Sequence, residues 1–156
     1  LATTERGLFL SMAFADCLPI ILCDTTVPVV ALVHAGWRGS LGLVVLRAWE
    51  ALSALGARSE RTKAYFGPAI GPCCYEVGED VARQVLHLGQ HGEQSLLHRR
   101  GKIYLDLATL NEALLNSVGI EVTRSNVCTA CHHDLFFSHR AEKGKTGRFA
   151  VYVGIA

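Results

Sequence analysis

No surplus of charge of either sign marks this chain. Fifteen basic side chains face fourteen acidic ones, for a formal charge of +1. That balance removes the basic patch and high pI expected of a protein that binds nucleic acid or an acidic membrane. Long hydrophobic runs are also missing, since no stretch approaches the roughly 20 apolar residues of a membrane-spanning helix. Repeats, low-complexity tracts and linkers are absent from the 156 residues, which excludes a repeat array or two tethered domains. Cysteine is too thinly spread for a disulfide scaffold: the six stand at 17, 23, 73, 74, 128 and 131 in a chain that is 50% hydrophobic. They read as reduced thiols of a cytoplasmic protein. What is present is the material of one domain, residues 1–156, of a size that buries about 68–70% of its extended surface. The expected assembly is a monomer or homodimer. Residue 1 is Leu, and residues 1–6 read like the interior of a longer polypeptide. The expectation is therefore a domain shortened at its N-terminus.

The apolar pattern places strands and helices in mixed order. Residues 7–14 and 18–23 are short apolar runs with polar borders, as buried strands have, and 27–33 is a third. Asp24-Thr25-Thr26 between the last two is turn chemistry at hairpin length. Leu43, Leu46, Arg47, Glu50 and Leu55 predict a helix over 41–55, closed by Gly56. Residues 64–66 predict a strand running into a Gly- and Pro-rich loop over 67–72, and 79–88 a second helix. The polar segment 90–101 reads as an exposed connection. Residues 102–106 are strand-like, 107–118 helical up to Gly119, and 122–128 and 149–155 strands. Strands that are partly consecutive and partly separated by helices predict an α+β fold, a mixed α/β sandwich of sheets flanked by helices.

Chemistry concentrates at two element boundaries, Ala15-Asp16-Cys17-Leu18-Pro19 and His34-Ala35-Gly36-Trp37-Arg38-Gly39. A hairpin turning at Thr25–Thr26 sets Cys17 opposite His34, where antiparallel partners lie roughly 4.5–5.5 Å apart. Such a pair suits a zinc site, which wants three protein ligands and a water, or a Cys/His catalytic dyad. It equally suits a buried cysteine beside a core histidine. Gly36 and Gly39 permit close backbone approach to a ligand, and Arg38 between them offers a guanidinium matched to phosphate.

Those two motifs, together with Phe66-Gly67-Pro68-Ala69-Ile70-Gly71-Pro72, Tyr75-Glu76-Val77-Gly78, Cys128-Thr129, Phe136-Phe137-Ser138 and Thr146-Gly147-Arg148, resemble the YfiH-like family. Its members are also called laccase-domain proteins or polyphenol oxidases and are regarded as purine nucleoside phosphorylases. The resemblance implies phosphorolysis of adenosine, inosine, guanosine and methylthioadenosine, with deamination of adenosine. Cys17 and His34 then inherit two of three zinc ligands. The third in the family is a histidine of an upstream Gln-Val-His-Gly motif, which this sequence does not contain; His132, His133 or His139 are the available substitutes. The sequence also departs from the family in having Phe14 where a threonine is usual and His139-Arg140 where Tyr-Arg is common.

Other readings stay open beside this one. The laccase name brings a copper-dependent phenol oxidase, although seven scattered histidines are a poor supply for several copper ions. A metal-free cysteine hydrolase on Cys17 and His34, and an inactive binding module, are the remaining alternatives. Gly67 and its loop offer backbone N–H groups to a phosphate, and Arg140 and Arg148 can serve the same anion. Cys128-Thr129-Ala130-Cys131 has a zinc-knuckle spacing but no second knuckle to pair with. Cys73 and Cys74, as neighbours, are expected to pack the loop rather than to chelate together.

Overall fold

The computed structural model describes residues 1–156. In chain order its elements are β1 (Ala2–Thr3), β2 (Phe9–Phe14), β3 (Leu18–Asp24), β4 (Val30–Ala35), α1 (Trp37–Leu41), α2 (Val44–Ala54), a 3-10 turn (Ser59–Arg61), β5 (Thr62–Phe66), β6 (Glu76–Val77), α3 (Glu79–Leu86), α4 (Gln90–Glu93), β7 (Leu96–Arg99), β8 (Lys102–Leu105), α5 (Leu107–Asn116), β9 (Glu121–Arg124) and β10 (Phe149–Gly154). Five strands form the central sheet in the order β1-β4-β3-β5-β9, with β5 and β9 parallel and the other neighbours antiparallel. A ribbon of β2 and β10 and a three-stranded sheet β6-β8-β7 complete the mixed α/β architecture. No helix is long and apolar enough to cross a membrane.

The central hairpin β3–β4 is apolar on both faces because both are covered. Leu18, Ile20 and Leu22 join Ala31, Val33 and Ala35 in the main core with Leu52 of α2 and Leu114 of α5. On the other face Val30 and Leu32 meet Leu10 of the ribbon. Coverage on two sides explains the unbroken hydrophobic runs, which alternation on a half-exposed sheet would have interrupted. His34 interrupts the run at its end, on the ribbon-facing side set by Val30 and Leu32.

Three expectations change. The helix expected over 41–55 is two helices, because Leu43 takes the left-handed conformation (φ 56°) after Gly42. The short α1 is thereby turned off the axis of α2, and Asn111 of α5 holds it by donating to Ser40 Oγ at 2.8 Å, both residues being fully buried. Residues 90–101 are not a bare connection but contain α4 and β7, and β7 pairs with β8. The apolar Leu96-Leu97 is masked in sequence by its polar flanks. The hairpin turn is longer than three residues, so Cys23 pairs with Val30 and His34 faces Pro19 rather than Cys17. The shift is by two positions, which leaves every side chain on its expected face.

Asp24 builds that longer turn. Its buried carboxylate accepts from the N–H groups of Thr26 at 2.7 Å, Val27 at 2.9 Å and Arg58 at 3.0 Å, and from Arg61 Nε at 3.3 Å. Burial pushes the carboxyl up, but the N–H donors of Val27, Arg58 and Thr26 and the Arg61 cation outweigh it and hold the pKa at about 2. A depressed folded pKa stabilises the fold above the unfolded carboxylate range, and that contribution disappears as pH falls through about 2. Asp24→Ala strands the N–H groups of the turn and is expected to cost about 2–3 kcal/mol in urea unfolding at pH 7. The gap between wild type and variant should narrow as the pH is lowered from 5 toward 2.

Candidate active site

Five of the six residues singled out from the sequence open onto one cavity of ≈580 Å³: Cys17, His34, Arg38, Arg140 and Arg148. The joint between β2 and β3 starts it. Asp16 stands there in the left-handed region (φ 80°), which turns the chain sharply between Phe14 and Leu18 and presents Cys17 at the cavity floor. Gly36, one position past β4, lies directly beneath that thiol: a Cβ on Gly36 would come within 2.8 Å of Cys17 Sγ. Only glycine lets the sulfur settle over the backbone there.

Asp16 itself is a brace. Its buried carboxylate accepts from Thr129 Oγ1 at 2.7 Å and from the Arg140 N–H at 2.7 Å, while its carbonyl accepts from the Ile70 N–H at 2.9 Å. Three distant loops are thus tied to the residue preceding Cys17. Arg140 donates Nη1 to the carbonyl of Glu76 at 2.9 Å and lies over the Tyr75 ring at 5.3 Å. Arg38, exposed on α1, stacks on the Trp37 ring at 4.2 Å. Arg148 is anchored by the carbonyls of Thr146 and Gly147, at 3.1 and 2.7 Å.

The electrostatics follow from this crowding. Burial, and then the carboxylate of Asp16, push the Cys17 thiol up, against a smaller lowering by Arg148. Partial burial and then the Arg148 cation hold the His34 imidazole below its usual range. Phe14 stacks on His34 with ring centroids 4.6 Å apart and planes inclined by 25°. Burial, and next Cys17, push the Tyr75 phenol up to about 12, leaving it a proton donor.

Gly67 falls elsewhere. It lines a second, smaller concavity with Phe66 and Val127, its N–H donates to Pro19 O at 2.9 Å, and a Cβ would sit 3.0 Å from Pro19 Cγ. The rest of the loop is equally committed: the N–H of Ala69 goes to Val127 O, that of Ile70 to Asp16 O, and that of Gly71 to Cys128 Sγ. No loop N–H is left free for a phosphate, and Gly67 serves close packing. Of the three histidines considered as substitute ligands, His139 lines the cavity while His132 and His133 are exposed outside it. Cys17 and His34 belong to no group of three or more donors mutually within 4.8 Å. One such group does exist, the thiols of Cys73, Cys74, Cys128 and Cys131, which could hold a metal ion. Sequence reasoning missed it, as it missed Asp16 and Tyr75. The adjacent pair and the C-x-x-C were both visible, but nothing in their spacing shows that they meet.

A family model described as multi-copper polyphenol oxidoreductase laccase matches residues 1–156. The chain is 40% identical over 156 residues to a purine nucleoside phosphorylase of Deinococcus radiodurans, covering 99% of this chain and 60% of that protein. It is 34% identical over 160 residues to the adenosine deaminase RL5 of an unknown prokaryotic organism, again across 99% of this chain and 60% of the relative. Among solved structures, the Bacillus licheniformis hypothetical protein YfiH aligns with a TM-score of 0.91 at 35% identity, over 99% of this chain and 60% of that one. The chain therefore spans three-fifths of the length of these relatives. With the family model matched over residues 1–156 and the YfiH backbone followed over 99% of the chain, the chain belongs to the laccase-domain family of YfiH-like proteins.

Proposed function

We propose that this cavity is the nucleoside site of a purine nucleoside phosphorylase that acts on adenosine, inosine, guanosine and methylthioadenosine and also deaminates adenosine. One observation carries the reading: a thiol and an imidazole share a single cavity with three guanidinium groups. The names of the relatives, a phosphorylase and a deaminase, supply the reaction class.

The donor pair fits zinc, which takes cysteine sulfur and neutral histidine nitrogen together. The Gly36 cradle leaves the thiol open to an ion. Cys17 and His34 would hold it, with the set completed by His139 or by a donor outside residues 1–156. When bound, zinc supplies a Lewis acid and a water of lowered pKa, which is the chemistry that deamination requires. Copper fits less well: of seven histidines only His34 and His139 line the cavity, far short of a multi-copper centre. A metal-free cysteine nucleophile is disfavoured by the direction of the Cys17 shift, since such nucleophiles are activated by a lowered pKa.

For phosphorolysis the chain provides anion binding. Arg38, Arg140 and Arg148 neutralise phosphate as one of its oxygens bonds to the anomeric carbon and the bond from that carbon to the purine nitrogen breaks. Arg140 is partly committed to the Glu76 and Cys74 carbonyls, so it offers its remaining N–H groups from a fixed position. Tyr75 and Trp37 provide aromatic walls for the nucleoside. Asp16 is a positioning residue rather than a base, because both carboxylate oxygens are occupied by Thr129 and the Arg140 N–H.

Adenosine turnover with and without phosphate tests this directly. The expected products are adenine and ribose 1-phosphate in amounts that follow phosphate, with loss of turnover in Cys17→Ala and His34→Ala. Base release indifferent to phosphate, or phenol oxidation restored by copper, would overturn it. The zinc content of His139→Ala separates the two sources of the third donor. Arg38→Ala should lower kcat/KM for phosphate by about 10²–10³-fold. Asp16→Asn removes one acceptor of the brace and is expected to cost about 1–3 kcal/mol of stability. Its KM should rise while the pH profile of kcat stays in place; a displaced acidic limb would instead make Asp16 a proton carrier.

A further inference from the structure

Away from the cavity floor, two loops bring four thiols together. Cys73 and Cys74 lie in a turn closed by the N–H groups of Cys74 and Tyr75, both donating to Gly71 O at 3.0 Å. Cys128 and Cys131 lie in a second turn, closed by the His132 N–H donating to Cys128 O at 3.1 Å. The turns are held side by side by Thr129 N donating to Ala69 O at 3.0 Å and by the bridge between Ala69 and Cys128. Neighbouring side chains diverge in an extended strand, but a tight turn lets both reach one point. That is how adjacent Cys73 and Cys74 act as the second pair that Cys128 and Cys131 lack in sequence.

All four sulfurs lie within 4.8 Å of one another, with Cys73 and Cys74 Sγ at 3.5 and 3.4 Å from Cys131 Sγ. Disulfide bonding requires about 2.05 Å, and all six cysteines of the chain are free. Four thiolates at about 2.3 Å from a central zinc stand about 3.8 Å apart along the edges of a tetrahedron. The quartet is therefore close to that spacing already. Two features around it match a metal site rather than a chance gathering. The Gly71 N–H donates to Cys128 Sγ at 3.2 Å, the outer-shell bond that orients and stabilises a ligating thiolate. A Cβ on Gly71 would meet Cys73 Sγ and Cys128 Cβ, each at 3.3 Å, so glycine keeps the cradle open. Zinc with four thiolates carries two net negative charges, and the concavity on the Cys73 side is lined by Arg99, Arg100 and Lys102.

We propose that Cys73, Cys74, Cys128 and Cys131 form a second metal site, a closed tetrathiolate site for structural zinc. Binding displaces four thiol protons, and a site with no open position leaves none for substrate. The ion clips the 71–75 turn to the 128–131 turn. Those two turns carry Tyr75 and Thr129, so the clip holds one wall of the cavity and the partner of Asp16 in place.

Metal analysis of the reduced 156-residue chain, purified without chelator, tests the site independently of catalysis. The double variant Cys17→Ser/His34→Ala is expected to keep one zinc per chain, and the same chain carrying Cys128→Ser/Cys131→Ser in addition to lose it. As a reading that needs no cysteine variant of the quartet to fold, Co²⁺ is titrated into Cys17→Ser/His34→Ala. The expected result is a thiolate-to-cobalt charge-transfer band with the visible bands of a tetrahedral site, both abolished by Zn²⁺. Absence of zinc and of the cobalt bands in that variant overturns the proposal, as does iron or copper in place of zinc, or a disulfide among the four found by mass spectrometry. A chain without phosphate-dependent turnover that still shows these bands would refute the phosphorylase reading alone.

Discussion

Asp16 is the constraint on which the cavity depends. It is a buried carboxylate in a conformation few side chains adopt, and it is held there because three loops hydrogen-bond to it. Thr129 lies 113 residues away and Arg140 lies 124 away, so each bond closes a large loop of chain. Charge-assisted bonds of this kind contribute about 1.5–3 kcal/mol each, which is comparable with the cost of the strained backbone they fix. The arrangement couples folding to site assembly: the residue that turns the chain to expose Cys17 is also the residue that recruits the Arg140 loop.

The sheet supplies rigidity and the loops supply chemistry. β3 and β4 are sealed between the ribbon and the helices, and the cavity opens at the start of β3 and the end of β4, where Cys17 and His34 line it. His34 and Arg38 sit on opposite sides of the Gly36 turn, so a strand end and a helix start are joined within five residues. The buried contact between Ser40 and Asn111 then locks α1 against α5. His34 at the end of a strand and Arg38 on a helix are thus held in one cavity by different packing contacts.

Much of this was legible in the sequence where local pattern and tertiary context agree. The hairpin of β3 and β4, the helices α3 and α5 and the closing strand β10 follow from apolar periodicity and from glycine stops. The nearness of Cys17 and His34 survives an error of two in register, because side chains repeat every second residue. What failed involves backbone groups whose partners are remote. The loop beginning at Gly67 looks like an anion cradle until its N–H groups are seen to bond to Pro19, Val127, Asp16 and Cys128. The cysteine quartet joins residues 57 and 58 positions apart through two turns that no periodicity describes. The break after Gly42 was hidden because Leu43 suits a helix yet adopts a left-handed backbone.

The stacking of Phe14 on His34 has a consequence for how tightly the site engages anything it holds. A free imidazole samples several rotamers and must be frozen by each ligand, a loss of roughly 0.5–1.5 kcal/mol for a rotamer-rich side chain. Here one face of the ring is stacked on a fully buried phenyl group while the residue stays exposed to the cavity, which narrows the rotamers it can take. A ring so stacked has less freedom left to lose in any later contact than an imidazole with both faces in solvent.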